Sequence, residues 1–160
     1  MELVIKRAIE LRKEAKYQES RGLLETLLNN KDYAAKAHLQ IAWSYDNEGK
    51  EKAAIGHYQL ALSGTLSSTE RFDTLFGLAC TYRSLGNYSK AFSYFEQTMA
   101  EYPNAMEVQP FYAMCLYNLG RHKEATSLLL ELLASTTNSD AIKAYQRTIL
   151  LYAKDLDKTW

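Results

Sequence analysis

The segment Gly86–Phe95 reads GNYSKAFSYF, and its pattern occurs three times: GRHKEATSLL begins at Gly120 and GKEKAAIGHY at Gly49. Ala91, Ala125 and Ala54 stand at the same distance after their glycines. Gly86 to Gly120 is 34 residues, and Gly49 to Gly86 is 37. A step of 34 back from Gly49 reaches Ala15, in KEAKYQESRGLLETLL, a degenerate copy with Ala15 for the Gly and Ser20 for the Ala. The three extra residues between the second and third copies fall in SGTLSST, which is small and polar and predicts a longer surface loop.

Internal repetition at such a period predicts stacked helical units. Before each Gly runs an apolar stripe at spacings of three and four: Ala37, Ile41, Ala42 and Tyr45; Leu75, Leu78, Ala79 and Tyr82; Tyr112, Ala113 and Leu116. That is one face of a helix. The Gly then ends the helix, because it accepts left-handed backbone without steric cost. A second stripe follows: Ala54, Tyr58, Ala61 and Leu62; Ala91, Phe95 and Met99; Ala125, Leu129, Leu132 and Leu133. The repeated Ala is small so that two antiparallel helices can approach closely; a larger side chain there would cost about 1–3 kcal/mol in overpacking.

These features resemble the tetratricopeptide repeat, a 34-residue helical hairpin. The third copy fits best, with Leu78-Ala79, Tyr82, Gly86, Tyr88, Ala91, Phe95 and Pro103. The second has Ile41-Ala42, Tyr45, Gly49, Ala54, Tyr58 and Ala61 but lacks the aromatic after Gly and the closing Pro. The fourth keeps Ala113, Gly120 and Ala125, with Leu116 for the Tyr; the first keeps Ala8, Leu11, Tyr17 and Leu24. The resemblance implies an all-α, right-handed superhelix of about four hairpins in one domain over 1–160, with repeats at about 1–34, 35–71, 72–105 and 106–137. Pro110 predicts that the first helix of the fourth copy starts late or bends.

After Thr137 the pattern changes. Asn138 and Ser139 are N-cap candidates, and the rest reads as one long capping helix over about 139–157. Ile142, Tyr145, Ile149, Tyr152 and Leu156 form a stripe on it, suited to covering the last repeat or to a dimer seam.

Composition narrows the function. Apolar residues are 47% and charged residues 24%, the balance of a globular chain, and the net charge of zero gives no field that would favour nucleic acid or an anionic membrane. The N-terminal MELVIKRAIELRKEAKY has charges and no continuous apolar core, so no signal peptide is expected; no run is long enough to span a bilayer. Cys80 and Cys115 are expected as free thiols in a reducing cytoplasm. His38, His57 and His122 lack the spacing of a helical metal site, and no phosphate loop or catalytic constellation occurs. No cofactor, metal or enzymatic activity is expected.

In the resembled family the first helix of each repeat lines a concave groove that holds a protein or peptide. The matching positions include Leu39, Trp43, Asn47, Phe76, Cys80, Arg83, Met114 and Tyr117, an apolar strip with a polar rim. Some family members clamp a terminal carboxylate with cations and amides. The equivalent slots here hold Ile5, Ile9, Gln40, Asp73 and Gly77, which do not suit it. The expectation is a non-catalytic interaction module for an apolar or amphipathic segment. The alternative is a homodimer whose seam is the groove or the terminal helix.

Overall fold

Each repeated glycine terminates a helix in the left-handed region, with φ of +75° at Gly49, +78° at Gly86 and +78° at Gly120. Ala15, which replaces Gly in the first copy, adopts the same conformation at φ +60°. Each turn is closed by the same two bonds. The N–H of Lys50, Asn87, Arg121 and Lys16 donates to the carbonyl of Tyr45, Tyr82, Leu116 and Leu11 at 2.8–2.9 Å. The N–H of the left-handed residue itself donates to the carbonyl of Asp46, Arg83, Tyr117 or Arg12. This pairing satisfies carbonyls that would otherwise be orphaned at a helix end. A Cβ at Gly49, Gly86 or Gly120 would touch nothing within 4 Å, so backbone conformation, not space, selects Gly there.

The computed structural model describes residues 1–160 as ten α-helices without a strand, in two compact units, Met1–Ala100 and Glu101–Trp160. The first unit contains α1 (Glu2–Lys13), α2 (Tyr17–Glu25), α3 (Ala34–Asn47), α4 (Glu51–Leu62), α5 (Ser68–Ser84) and nearly all of α6 (Tyr88–Glu101). Consecutive helices from α1 to α5 pack on one another, and α3 also touches α1 and α5. Tyr82 of α5 stacks on Tyr94 of α6, and Phe76 meets Phe95 edge-on. The repeated small positions are buried: Ala8, Ala42 and Ala79 on the first helix of each hairpin, and Ser20, Ala54 and Ala91 on the second. Ser20 is tolerated because its Oγ donates to the Ala8 carbonyl at 2.7 Å, which satisfies the hydroxyl in the dry seam.

A second joint binds three helices. Tyr58 of α4 lies so close to α5 that a Cβ on Gly77 would fall 2.7 Å from its ring. Its hydroxyl donates to Asp46 Oδ2 of α3 at 2.5 Å, and Thr81 Oγ1 of α5 lies 3.1 Å from the same oxygen. At the N-terminal ends of α1, α3 and α5, Lys36 bridges Glu2 at 3.2 Å and Glu70 at 3.6 Å. Those three helices therefore run side by side with their starts aligned.

The expected long loop at 63–69 is shorter than its sequence suggests. Ser67 caps α5 and forms a reciprocal capping box with Glu70, so Ser68 and Thr69 are helical and much of the insertion lengthens α5 to 17 residues.

The second unit contains α7 (Val108–Asn118), α8 (His122–Thr136), α9 (Asp140–Lys143) and α10 (Gln146–Ala153). Pro110 falls in the first turn of α7, where a missing N–H costs nothing, and the helix is only 11 residues long. The single long helix expected over 139–157 is not formed. Ser139 caps α9 as anticipated, by accepting from the Ile142 N–H, but the helix stops at Lys143. After Tyr145 the chain restarts as α10, which packs on α8. Gln146 Nε2 donates to the Ala134 carbonyl at 2.9 Å, and Lys123 reaches Asp157 at 2.6 Å. These bonds hold the terminal segment along α8, which an unbroken helix would not follow.

The four left-handed turns make a paired expectation. Gly86→Ala should lower unfolding free energy by about 1 kcal/mol, the cost of left-handed backbone for a side-chain-bearing residue. Ala15→Gly should raise it by up to about 1 kcal/mol. Urea melts of both variants beside the parent check the sign.

Candidate partner-binding groove

The side-by-side arrangement of α1, α3 and α5 makes one wall from the first helices of three hairpins. Trp43 of α3 is half-buried, and the Arg12 guanidinium of α1 lies 5.3 Å from its ring centroid. Asn47, one turn on, is exposed at the end of α3. Phe76 of α5 is half-buried beside Phe72, at 5.7 Å between centroids. Cys80 is half-buried, and burial pushes its thiol up to about 12, which makes it a packing group rather than a nucleophile. Arg83, also half-buried, is near enough to counter that shift in part.

Leu39 is a correction. It is 0% exposed and belongs to the core, not to the wall. Its helix packs against α2, α4, α1 and α5, and Leu39 falls on the part of α3 that these neighbours enclose. Asp46 is likewise consumed. It serves Tyr58 and Thr81, and burial raises its pKa against the opposing effect of those hydrogen bonds.

In the second unit, Met114 and Tyr117 project from α7 into solvent, Tyr117 at 62% exposure and stacked on His122 at 4.7 Å. The terminal stripe is divided by the break. Ile142 lies on α9, Tyr145 caps α10 at 67% exposure, and Ile149 and Tyr152 lie on α10, Ile149 half-buried and Tyr152 exposed. Eleven of the fifteen exposed large apolar side chains lie in residues 101–160, so this unit presents more uncovered apolar surface than its size accounts for.

A cleft of about 440 Å³ lies elsewhere in the first unit, lined by Gln59, Tyr82, Ser89, Lys90, Ser93 and Tyr94. Its aromatic pair is already stacked and its Lys90 already sits over Tyr82, so no polar groups converge on empty space. No cluster of three or more His, Cys, Asp or Glu side chains is placed to hold a metal ion. No helix is long and apolar enough to cross a membrane.

One pair escaped the sequence reading. His38 of α3 and His57 of α4 bring their Nδ1 atoms to 2.9 Å. Folding the hairpin about Gly49 aligns Ala42 with Ala54 and, one turn further out, His38 with His57; the repeat register held that signal. At this distance one Nδ1 donates to the other, which must then be unprotonated. Burial lowers both pKa values, and the charges of His38 and Arg21 lower His57 further, against the pull of Glu25. The unfolded chain therefore binds more protons near and below the ordinary His range. Stability is fully present above about pH 6.5, the unfolded value, and is lost as pH falls below it through the lowered folded values. The urea midpoint should drop between about pH 7.5 and 5.5, and His57→Gln should flatten that drop.

The fold agrees with what comparison with known proteins finds. The family model described as Tetratrico peptide repeat matches residues 35–156. No curated protein sequence matches the chain. The family's repeats are generally non-catalytic modules that mediate protein–protein interaction. Its repeat over most of the sequence, the four left-handed turns and the paired helices identify the chain as a member of the tetratricopeptide-repeat family.

Proposed function

We propose that the protein is a non-catalytic adaptor that holds an apolar segment of a protein or peptide on the wall of α1, α3 and α5. The observation that carries this reading is Trp43, a large aromatic left partly exposed in the middle of three adjoining helices. Phe76 and Cys80 extend the apolar surface, and Asn47 and Arg83 supply a polar rim. Aromatic anchors within a polar rim are where binding energy concentrates at interfaces. The slots of a terminal-carboxylate clamp are spent on structure: Ile5 is buried, Gln40 is buried and Gly77 backs Tyr58. Zero net charge gives no support to nucleic acid as a ligand, and the two free thiols suit a reducing cytoplasm.

A second reading rests on the exposed apolar side chains of residues 101–160, which suit self-association through α7 (Met114, Tyr117) or the terminal segment (Tyr145, Tyr152).

Selection of random peptides on the protein tests the first reading. The selected peptides should lose about ten-fold or more in affinity for Trp43→Ala, the loss of an aromatic anchor, while circular dichroism shows that the variant is folded. Peptides that bind parent and variant equally would place binding elsewhere. Light scattering across concentrations tests the second: a mass of twice 18.3 kDa that falls to the monomer in Met114→Ser/Tyr117→Ser would make α7 the seam.

A further inference from the structure

Arg12 is the one feature of the wall that the packing does not explain. The comparison with Arg21 makes this clear. Arg21 is also drawn out of water, but it lies 2.7 Å from Glu48 Oε2, donates to Ser44 Oγ at 3.0 Å and stacks on Tyr45 at 4.2 Å. Its charge is neutralised, and both polar contacts are made through Nη1. Arg12 has no carboxylate. Its contacts are the Trp43 face and one long bond, 3.4 Å, from Nη2 to Gln40 Oε1. Its Nε–H is buried and has no acceptor. Burial lowers its pKa, with only the neighbouring Tyr58 and Tyr17 acting the other way. A half-buried guanidinium without a counter-ion is unfavourable in the free protein and ready to gain from an anion.

The wall's charge is also polarised. At the N-terminal ends of the three helices, Glu2 and Glu70 flank Lys36, and Asp73 follows on α5. At the C-terminal ends stand Arg12 and Lys13 on α1 and Arg83 on α5. The only carboxylate at that end of α3 facing these helices, Asp46, is held by Tyr58 and Thr81.

We propose that Arg12 and Trp43 form an acid-reading subsite, and that the partner is an apolar segment carrying an internal Asp or Glu side chain. The carboxylate pairs with the guanidinium while its apolar neighbours cover Trp43, Phe76 and Cys80. An internal side chain is favoured over a chain terminus because a single cation serves it, whereas the other slots that would grip a terminus hold Ile5, Ile9 and Asp73. The inference rests on the groove reading above and adds the chemistry of the partner.

The test uses the full chain and a display library of random twelve-residue peptides fused through their C-terminus, so that no free carboxy terminus is presented. Selection on the parent should enrich peptides with Asp or Glu beside aromatic or aliphatic residues. Selection on Arg12→Gln should enrich the apolar residues without the acid. For a synthetic, amidated copy of the commonest acidic peptide, Glu→Gln should cost about ten-fold in affinity for the parent and less than about two-fold for Arg12→Gln. Arg12→Lys, which keeps the charge, should retain part of the preference. Melting curves confirm that each variant is folded. Peptides enriched without any acidic preference would overturn this inference and leave the groove reading standing. Enrichment that is unchanged on Trp43→Ala, or none at all, would overturn both.

Discussion

Everything in this molecule hangs on the left-handed turn that closes each hairpin. Two backbone bonds at the end of the first helix reverse the chain within two or three residues, and the second helix is then held against the first. That geometry recurs at Ala15, Gly49, Gly86 and Gly120 with nearly identical angles and bond lengths. Once it is set, the residues a fixed distance either side must meet, and they must be small. Ala8 faces Ser20, and the hydroxyl bonded to the opposite carbonyl shows directly how near the two helices come. The first copy keeps the geometry without the glycine, so the turn is specified by its hydrogen bonds and by packing as well as by residue type.

The same repetition made most of the fold legible in sequence. Helix positions, the left-handed ends, the buried alanines and the early-turn place of Pro110 all follow from local chemistry in register. What was not legible depends on tertiary competition. Nothing between Ala144 and Gln146 marks a helix end, for there is no Gly or Pro; the break is recovered only when Gln146 is seen bonded to α8 and Lys123 to the terminal acids. The insertion at 63–69 looked like loop because Ser and Thr are poor helix formers, yet Ser67 and Glu70 turn the same residues into a helix start.

The site was legible in part, for a related reason. Register identifies which residues belong to the first-helix wall, but not how deeply each is covered. Leu39 and Trp43 lie one turn apart on the same helix and are indistinguishable by pattern; the neighbouring helices bury the first and leave the second half-open. Arg12 could be placed on the wall from its position. That it lacks a counter-ion could not, because partners such as Glu48 for Arg21 are fixed by side-chain reach across helices. His38 and His57 sat between these cases: the hairpin register aligns them, and only the structure brings their Nδ1 atoms within hydrogen-bonding distance.

The state of Cys80 has a practical use. Its thiol is held well above the ordinary range by burial, and Cys115 is fully enclosed in its own unit. Alkylating reagents need access to the thiolate, so Cys115 is shielded while its helices stay closed, whereas Cys80, half-buried on the wall, is slowed chiefly by its raised pKa. The two cysteines are thus built-in clocks, one in each unit. The rate at which Cys115 is labelled under native conditions reports how often the surrounding helices part, and the rate at Cys80 reports whether the wall is covered, without any probe being added to the chain.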